Sequence, residues 1–273
     1  MIETFTYKEV LPNDVLERYE FLETRSAAKI AQAICPQELD EIVQVLRKFE
    51  LTPELLLSPG GNRGAVPTII DGAFETMNWQ EARVDISRQA YYFPGHNSKL
   101  SALENPEQYS DFLVSSTYQT GYSIDNVKGR VALDVEWNPK DGNLDRDFSA
   151  YRSWHEEGLI DVSFLITRVQ SETKMLAKSL WDNYFSLHPE QPKSKQLVDY
   201  GTTTTSNFEK GAQRIIRGDL GLCPILMVGI GRNAWNSRHW DGTVLRWDKE
   251  EQAYSICDAF TKAPTGRYHR LPF

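Results

Sequence analysis

IDNVKGRVALDVEWN, residues 124–138, decides how the rest of this chain is read. From Gly129 onward, Val131, Leu133 and Val135 alternate with Ala132, Asp134 and Glu136. That is the period of a β-strand with its apolar side chains on one face. Ile124 and Asp125, followed by a turn-forming stretch at 126–129, make the preceding piece the partner strand of a hairpin. Side chains two apart share a face of a strand, so Asp134 and Glu136 point the same way, and the hairpin brings Asp125 close to them. Three carboxylates converging on a sheet face repel one another, and their burial costs several kcal/mol unless a cation neutralises them. Hard oxygen ligands of this kind suit a divalent ion such as Mg2+. The plain alternative is that Asp134 and Glu136 face water on a one-sided antiparallel sheet.

Outward from this hairpin the elements follow in order. A helix is expected over 144–157, with Phe148, Tyr151 and Trp154 on one stripe and Gly158 as its stop. LIDVSFLIT (159–167) reads as a largely buried strand, 172–184 as a helix, and CPILMVGI (223–230) as a second buried strand. Segments 243–247 and 253–257 flank DKEEQ as a further hairpin. Upstream, Leu39, Ile42, Val43, Leu46 and Phe49 recur at helical spacing over 36–50, with Pro36 suited to the first turn. Helices, hairpin, helix, strand, helix, strand describe a mixed central sheet flanked by helices, in the α/β or α+β class. No repeat or long linker interrupts the 273 residues. They are read as a single domain, with a helical part at about 1–109, a core at about 110–231 and a hairpin extension at about 232–273.

Composition narrows the function. A chain that is 40% hydrophobic and 25% charged is an ordinary globular protein, which excludes wholesale disorder. Three scattered cysteines (Cys35, Cys223, Cys257) exclude a disulfide framework and a zinc finger, and are expected as buried thiols. The N-terminus has no secretory signal pattern and no apolar run is long enough to span a bilayer, so a cytoplasmic location is expected. The net charge of −8 argues against a generally basic DNA-coating protein. That charge is uneven: residues 1–124 sum to −8, 125–204 to −3 and 205–273 to +3. The five histidines have no partner pattern, and GIGRNAW (229–235) lacks both the third glycine of a dinucleotide loop and the lysine of a P-loop.

The stretch at 125–168, DNVKGRVALDVEWNPKDGNLDRDFSAYRSWHEEGLIDVSFLITR, resembles the catalytic segment of the BglII/BstYI-type restriction endonucleases, members of the PD-(D/E)xK nuclease superfamily. A second block at 200–230, YGTTTTSNFEKGAQRIIRGDLGLCPILMVGI, is similar to the same family in its Thr-rich loop, basic helix and Gly-Cys-Pro strand. Together they cover about a quarter of the chain, in the family's order.

The resemblance implies a restriction-endonuclease-like core and hydrolysis of phosphodiester bonds in double-stranded DNA at a short, palindromic site. It implies Mg2+ as cofactor, with Mn2+ as a substitute, in a prokaryotic restriction-modification system. Asp125 and Asp134 match the metal-binding acids, the backbone carbonyl of Val135 the adjacent ligand, and Glu136 the third catalytic position and a further ligand. Most members of the fold carry Lys there and the BglII type Gln, so Glu136 is a departure. It suits a group that holds or deprotonates the attacking water. A two-fold symmetric target implies a homodimer.

DNA contacts are expected from two places. Asn138 and Lys140, in the loop after the acids, suit base edges or phosphates, although Asn-Pro also makes a turn and Trp137 a core anchor. Thr203, Thr204, Thr205, Ser206 and Asn207 offer hydrogen-bonding side chains ahead of Lys210, Arg214 and Arg217 on one helix face, which could equally be a solvated face. Two alternatives remain open at this point: a structure- or damage-specific repair nuclease of the same fold, and a non-catalytic DNA-binding regulator on a nuclease scaffold.

Overall fold

The computed structural model describes residues 3–58, 64–95, 101–102, 105–137, 142–191 and 205–268. In chain order the strands are β1 (Glu3–Thr4), β2 (Tyr19–Thr24), β3 (Gln80–Arg83), β4 (Ile86–Tyr91), β5 (Leu113–Gln119), β6 (Ser123–Lys128), β7 (Val131–Glu136), β8 (Val162–Arg168), β9 (Ile225–Ile230), β10 (Thr243–Asp248), β11 (Ala253–Asp258) and β12 (Pro264–Arg267). The helices are α1 (Tyr7–Val10), α2 (Asn13–Leu16), α3 (Ala27–Ile34), α4 (Pro36–Lys48), α5 (Pro53–Leu56), α6 (Ala65–Thr76), α7 (Gly142–Glu156), α8 (Gln170–Leu187) and α9 (Phe208–Arg217).

Residues 1–82 and 124–273 make one compact unit, built on a mixed sheet of order β1-β2-β9-β8-β7-β6-β3. The pairs β7–β8 and β8–β9 are parallel, while β6–β7 and β2–β9 are antiparallel. The mixed sheet with flanking helices is the architecture expected from the sequence. Every residue of β7, β8 and β9 is buried, as parallel strands covered on both faces require. This corrects one expectation. Strand β7 was read as apolar on one face only, yet Ala132, Asp134 and Glu136 are buried with the rest, because α6 and α7 both pack on it. The two acids therefore do not lie on a solvated outer face.

A second difference lies at the N-terminus. The stretch read as helical also supplies β1, β2 and β3 to the main sheet, β2 pairing with β9 from Tyr19↔Ile230 to Thr24↔Ile225. Its alternation is disguised by Glu23, which is 0% exposed. The Glu23 carboxylate accepts bonds from Thr4 Oγ1 (3.0 Å), Thr6 N (2.7 Å), Thr6 Oγ1 (2.8 Å) and Ala28 N (2.8 Å). The C-terminal hairpin is present as β10 and β11, extended by β12 into a three-stranded sheet. All three cysteines are buried, as expected.

Residues 83–123 form the second unit. Its β4–β5 hairpin pairs Ile86 with Gln119 and Ala90 with Ser115. Phe93 packs against Tyr109 and Phe112 at centroid distances of 5.7 and 4.9 Å.

Candidate active site

The hairpin that carries the acids turns at Gly129, whose φ of +54° is left-handed. That positive φ favours glycine at the turn, while the nearest atom to an added Cβ, Glu38 Oε1 at 2.6 Å, ends a flexible side chain that can move aside. The register pairs Asn126 with Leu133, and one step further it sets Asp125 against Asp134. There the Asp125 N–H donates to Asp134 Oδ1 at 2.8 Å. The sequence thus brings these two acids together as expected, with Glu136 two residues along the same strand.

Asp134 is 3% exposed, and its Oδ2 has no hydrogen-bond partner. Tyr151, from α7, lies beside it, its hydroxyl placed between the Phe164 carbonyl at 3.0 Å and the Asp134 carboxyl, whose charged form it favours. Burial, followed by the charges of Asp147 and Asp125, pushes the Asp134 carboxyl well above its ordinary value. Glu136 is pushed up to about 8, first by burial and then by Asp134. Asp125, more exposed at the edge, is raised by desolvation and by Glu81, with Arg146 opposing.

Two further acids join the set, and sequence reasoning missed both. Asp147 of α7 is buried beside Glu136, its Oδ2 is also without a partner, and burial followed by Glu136 pushes it up to about 9. Asp71 of α6 accepts a bond from Asn126 Nδ2 at 2.7 Å and is pushed up to about 7, mainly by burial. Asp147 had a readable signal. It sits within the apolar stripe Leu144, Phe148, Tyr151, Trp154, where a lone acid at helical spacing has to face the sheet. Asp71 had none, since its partner lies 55 residues away.

This clustering has no structural rationale by itself. Like charges held together in a desolvated site keep protons that they would release in water. Perturbed acids of this kind collect where a chain binds or transforms something.

A family model described as restriction endonuclease BglII/BglIII matches residues 19–230. The chain belongs to that family. The match opens on the first residue of β2 and closes on the last of β9, so it spans the main sheet apart from β1 and takes in the acid cluster. No curated protein matches the chain. A BglII/BglIII-family protein is a restriction endonuclease, hence a nuclease acting on DNA and generally dependent on a divalent metal. No described helix is long and apolar enough to cross a membrane.

The acid cluster of this BglII-family chain fits such an ion in donor chemistry. All its donors are carboxylate oxygens, and Asp134 Oδ2 and Asp147 Oδ2 are buried and unpartnered. As they are placed, no three His, Cys, Asp or Glu side chains among the described residues form a set able to hold a metal. One or two carboxylates, completed by water and phosphate oxygens, is the usual demand of Mg2+. Val135, the expected backbone ligand, is buried in β7 opposite Ile166.

Of the residues expected to touch DNA, Asn138, Lys140, Thr203 and Thr204 lie outside the described residues. Trp137 is 2% exposed and belongs to the core, which bears out its reading as an anchor. Ser206 and Asn207 are buried, and Asn207 caps α9 by accepting the Lys210 N–H at 2.9 Å. Lys210 Nζ donates to the Thr205 carbonyl at 3.0 Å. Arg214 makes a two-pronged pair with Asp145 of α7, at 2.7 and 3.2 Å. Arg217 pairs with Asp219. The basic face of α9 is thus engaged within the chain, tying α9 to the helix that carries Asp147.

Proposed function

We propose that this protein is a type II restriction endonuclease that cuts double-stranded DNA at a short palindromic sequence with Mg2+, and that it acts as a homodimer. The observation that carries this reading is the buried Oδ2 of Asp134, without a hydrogen bond of good geometry, among the carboxyls of Asp125, Glu136 and Asp147. Asp125, Asp134 and the Val135 carbonyl would hold the ion, with Glu136 as a further ligand. A divalent ion there supplies charge against the phosphate and acidifies water.

The chain's own part in the chemistry follows from its side chains. The Asp125 N–H holds Asp134 through Oδ1 and leaves Oδ2 for an ion. Glu136, pushed up to about 8, holds a proton near neutral pH in the free site. Once cations enter, it is a carboxylate able to take the proton of an attacking water. Asp147 lies beside Glu136 and shares a side-chain hydrogen bond with it. The two-fold symmetry of a palindromic target is met by two copies, each cutting one strand.

The test is digestion of a sequenced plasmid with Mg2+ or Mn2+, followed by run-off sequencing of the ends. Discrete bands sharing one sequence support the reading. Smearing without sequence preference, or cutting only at branched or damaged DNA, overturns it.

A further inference from the structure

Thr167, in β8, is 0% exposed, and its Oγ1 has no hydrogen-bond partner. A buried hydroxyl without a partner costs stability, and valine has the same shape without that cost. The reason for a threonine here lies in what the hydroxyl faces.

Strand register fixes that surrounding. Strands β7 and β8 run parallel with Glu136 opposite Thr167 and Asp134 opposite Leu165. Paired residues of neighbouring strands point to the same face of a sheet, so Thr167 shares the face of the two acids. The strands lie about 4.8 Å apart, close enough for a glutamate and a threonine side chain to meet. On the other side Thr167 pairs with Gly229 of β9, which offers no side chain. A Cβ at Gly229 would meet Phe208 Cδ2 and Val169 Cγ2, both at 2.8 Å, so that flank is closed by apolar groups. Leu165 and Val169, two residues before and after Thr167, are apolar as well. Of the side chains that register and alternation set around this hydroxyl, that of Glu136 alone carries an acceptor.

Glu136 is engaged elsewhere, since its carboxyl shares a side-chain hydrogen bond with Asp147 of α7. The two acids of β7 are thus flanked by donors from opposite neighbours. Asp134 takes the Asp125 N–H of β6 at 2.8 Å, and Glu136 has the unused Thr167 hydroxyl on β8.

We propose that Thr167 is a positioning residue for Glu136: once Glu136 leaves Asp147 for a divalent ion, the Thr167 hydroxyl donates to its carboxylate and fixes the oxygen that it turns to the ion. The inference rests on the proposed metal-dependent reading of the acid cluster. It gives the unpartnered hydroxyl an acceptor in the loaded site that it lacks in the metal-free chain.

The test is titration calorimetry of Mn2+ into the intact metal-free chain. Thr167→Val keeps the shape and removes the hydroxyl, and is expected to bind Mn2+ about tenfold more weakly than wild type, the usual effect of losing a group that holds a metal ligand. Thr167→Ser, which keeps the hydroxyl, restores the affinity. Thr167→Ala gives the same comparison if the valine variant does not fold. An unchanged affinity in Thr167→Val or Thr167→Ala, or one as weak in Thr167→Ser as in Thr167→Val, overturns the inference. A wild-type chain that binds Mn2+ while these variants bind it equally well sinks this inference alone, whereas a wild-type chain that binds no Mn2+ sinks the metal-dependent reading itself.

Discussion

Glu23 and Asp134 are both buried carboxylates of the same sheet, and they are treated in opposite ways. Glu23, 0% exposed, is surrounded by four donors drawn from β1, the start of α1 and α3. Asp134, 3% exposed, has one backbone donor on Oδ1, only the shared Tyr151 hydroxyl near its other side, and Asp147 and Asp125 as its charged neighbours. A carboxylate that serves the fold is supplied with donors by the fold, because desolvation has to be offset within the chain. One left short of donors among other acids is stable only when something from outside completes it. Under the proposed function, the difference sets an acid that serves the fold apart from one that would serve a bound ion.

The largest expected effect tests the functional side. Asp134→Ala and Asp125→Ala should each lower plasmid cleavage by about a thousandfold or more, since charge stabilisation of the transition state is lost. DNA binding measured by mobility shift should largely persist. Cleavage at the wild-type rate by either variant would break the contrast at its centre.

Stability is next. Glu23→Ala should destabilise the protein by about 3 kcal/mol, because it strands buried donors. Asp134→Asn should not lower the melting temperature of the metal-free protein, and should raise it at alkaline pH. If urea titration ranked the two the other way round, donors would not be what distinguishes them.

The pH dependence sharpens the comparison further. Glu136 and Asp147 are raised from ordinary values of 4.5 and 3.8 to about 8 and about 9. The folded metal-free protein therefore holds protons that the unfolded chain releases. This contribution to stability is fully present below about pH 4 and is lost as pH rises through 8 to 9. Melting curves at successive pH values should show that decline, and Glu136→Gln should flatten it. A slope that rises over the same window would contradict the burial of these acids.

The smallest effect concerns a cation. Arg214, paired with Asp145 and 13% exposed, should cost about 1–2 kcal/mol when replaced by alanine, through lost packing as well as the lost pair. The salt dependence of DNA binding should keep its slope. A slope reduced by about one unit would return Arg214 to the phosphate contacts that the sequence suggested.

Local pattern carried much of this fold. The β6–β7 hairpin, α7, β8, α8, β9 and the β10–β11 hairpin follow from periodicity and turn residues within short windows, and the structure has them within a few residues of where the sequence places them. The pairing of Asp125 with Asp134 was readable for the same reason, since a tight hairpin leaves one register.

What the sequence could not state is which faces are covered. Strand β7 alternates like a half-exposed strand, but helices on it bury Asp134 and Glu136. Strand β2 was hidden because the donors that allow Glu23 to be buried come from other elements, and its partner β9 lies some 200 residues away. Asp71 and Asp147 joined the acid cluster only when helices α6 and α7 packed on β7. By itself the sequence determined the elements, the acidic hairpin and the family to which they point. The tertiary structure alone decided which acids lack donors, because desolvation depends on what packs around a group and not on what lies beside it in the chain.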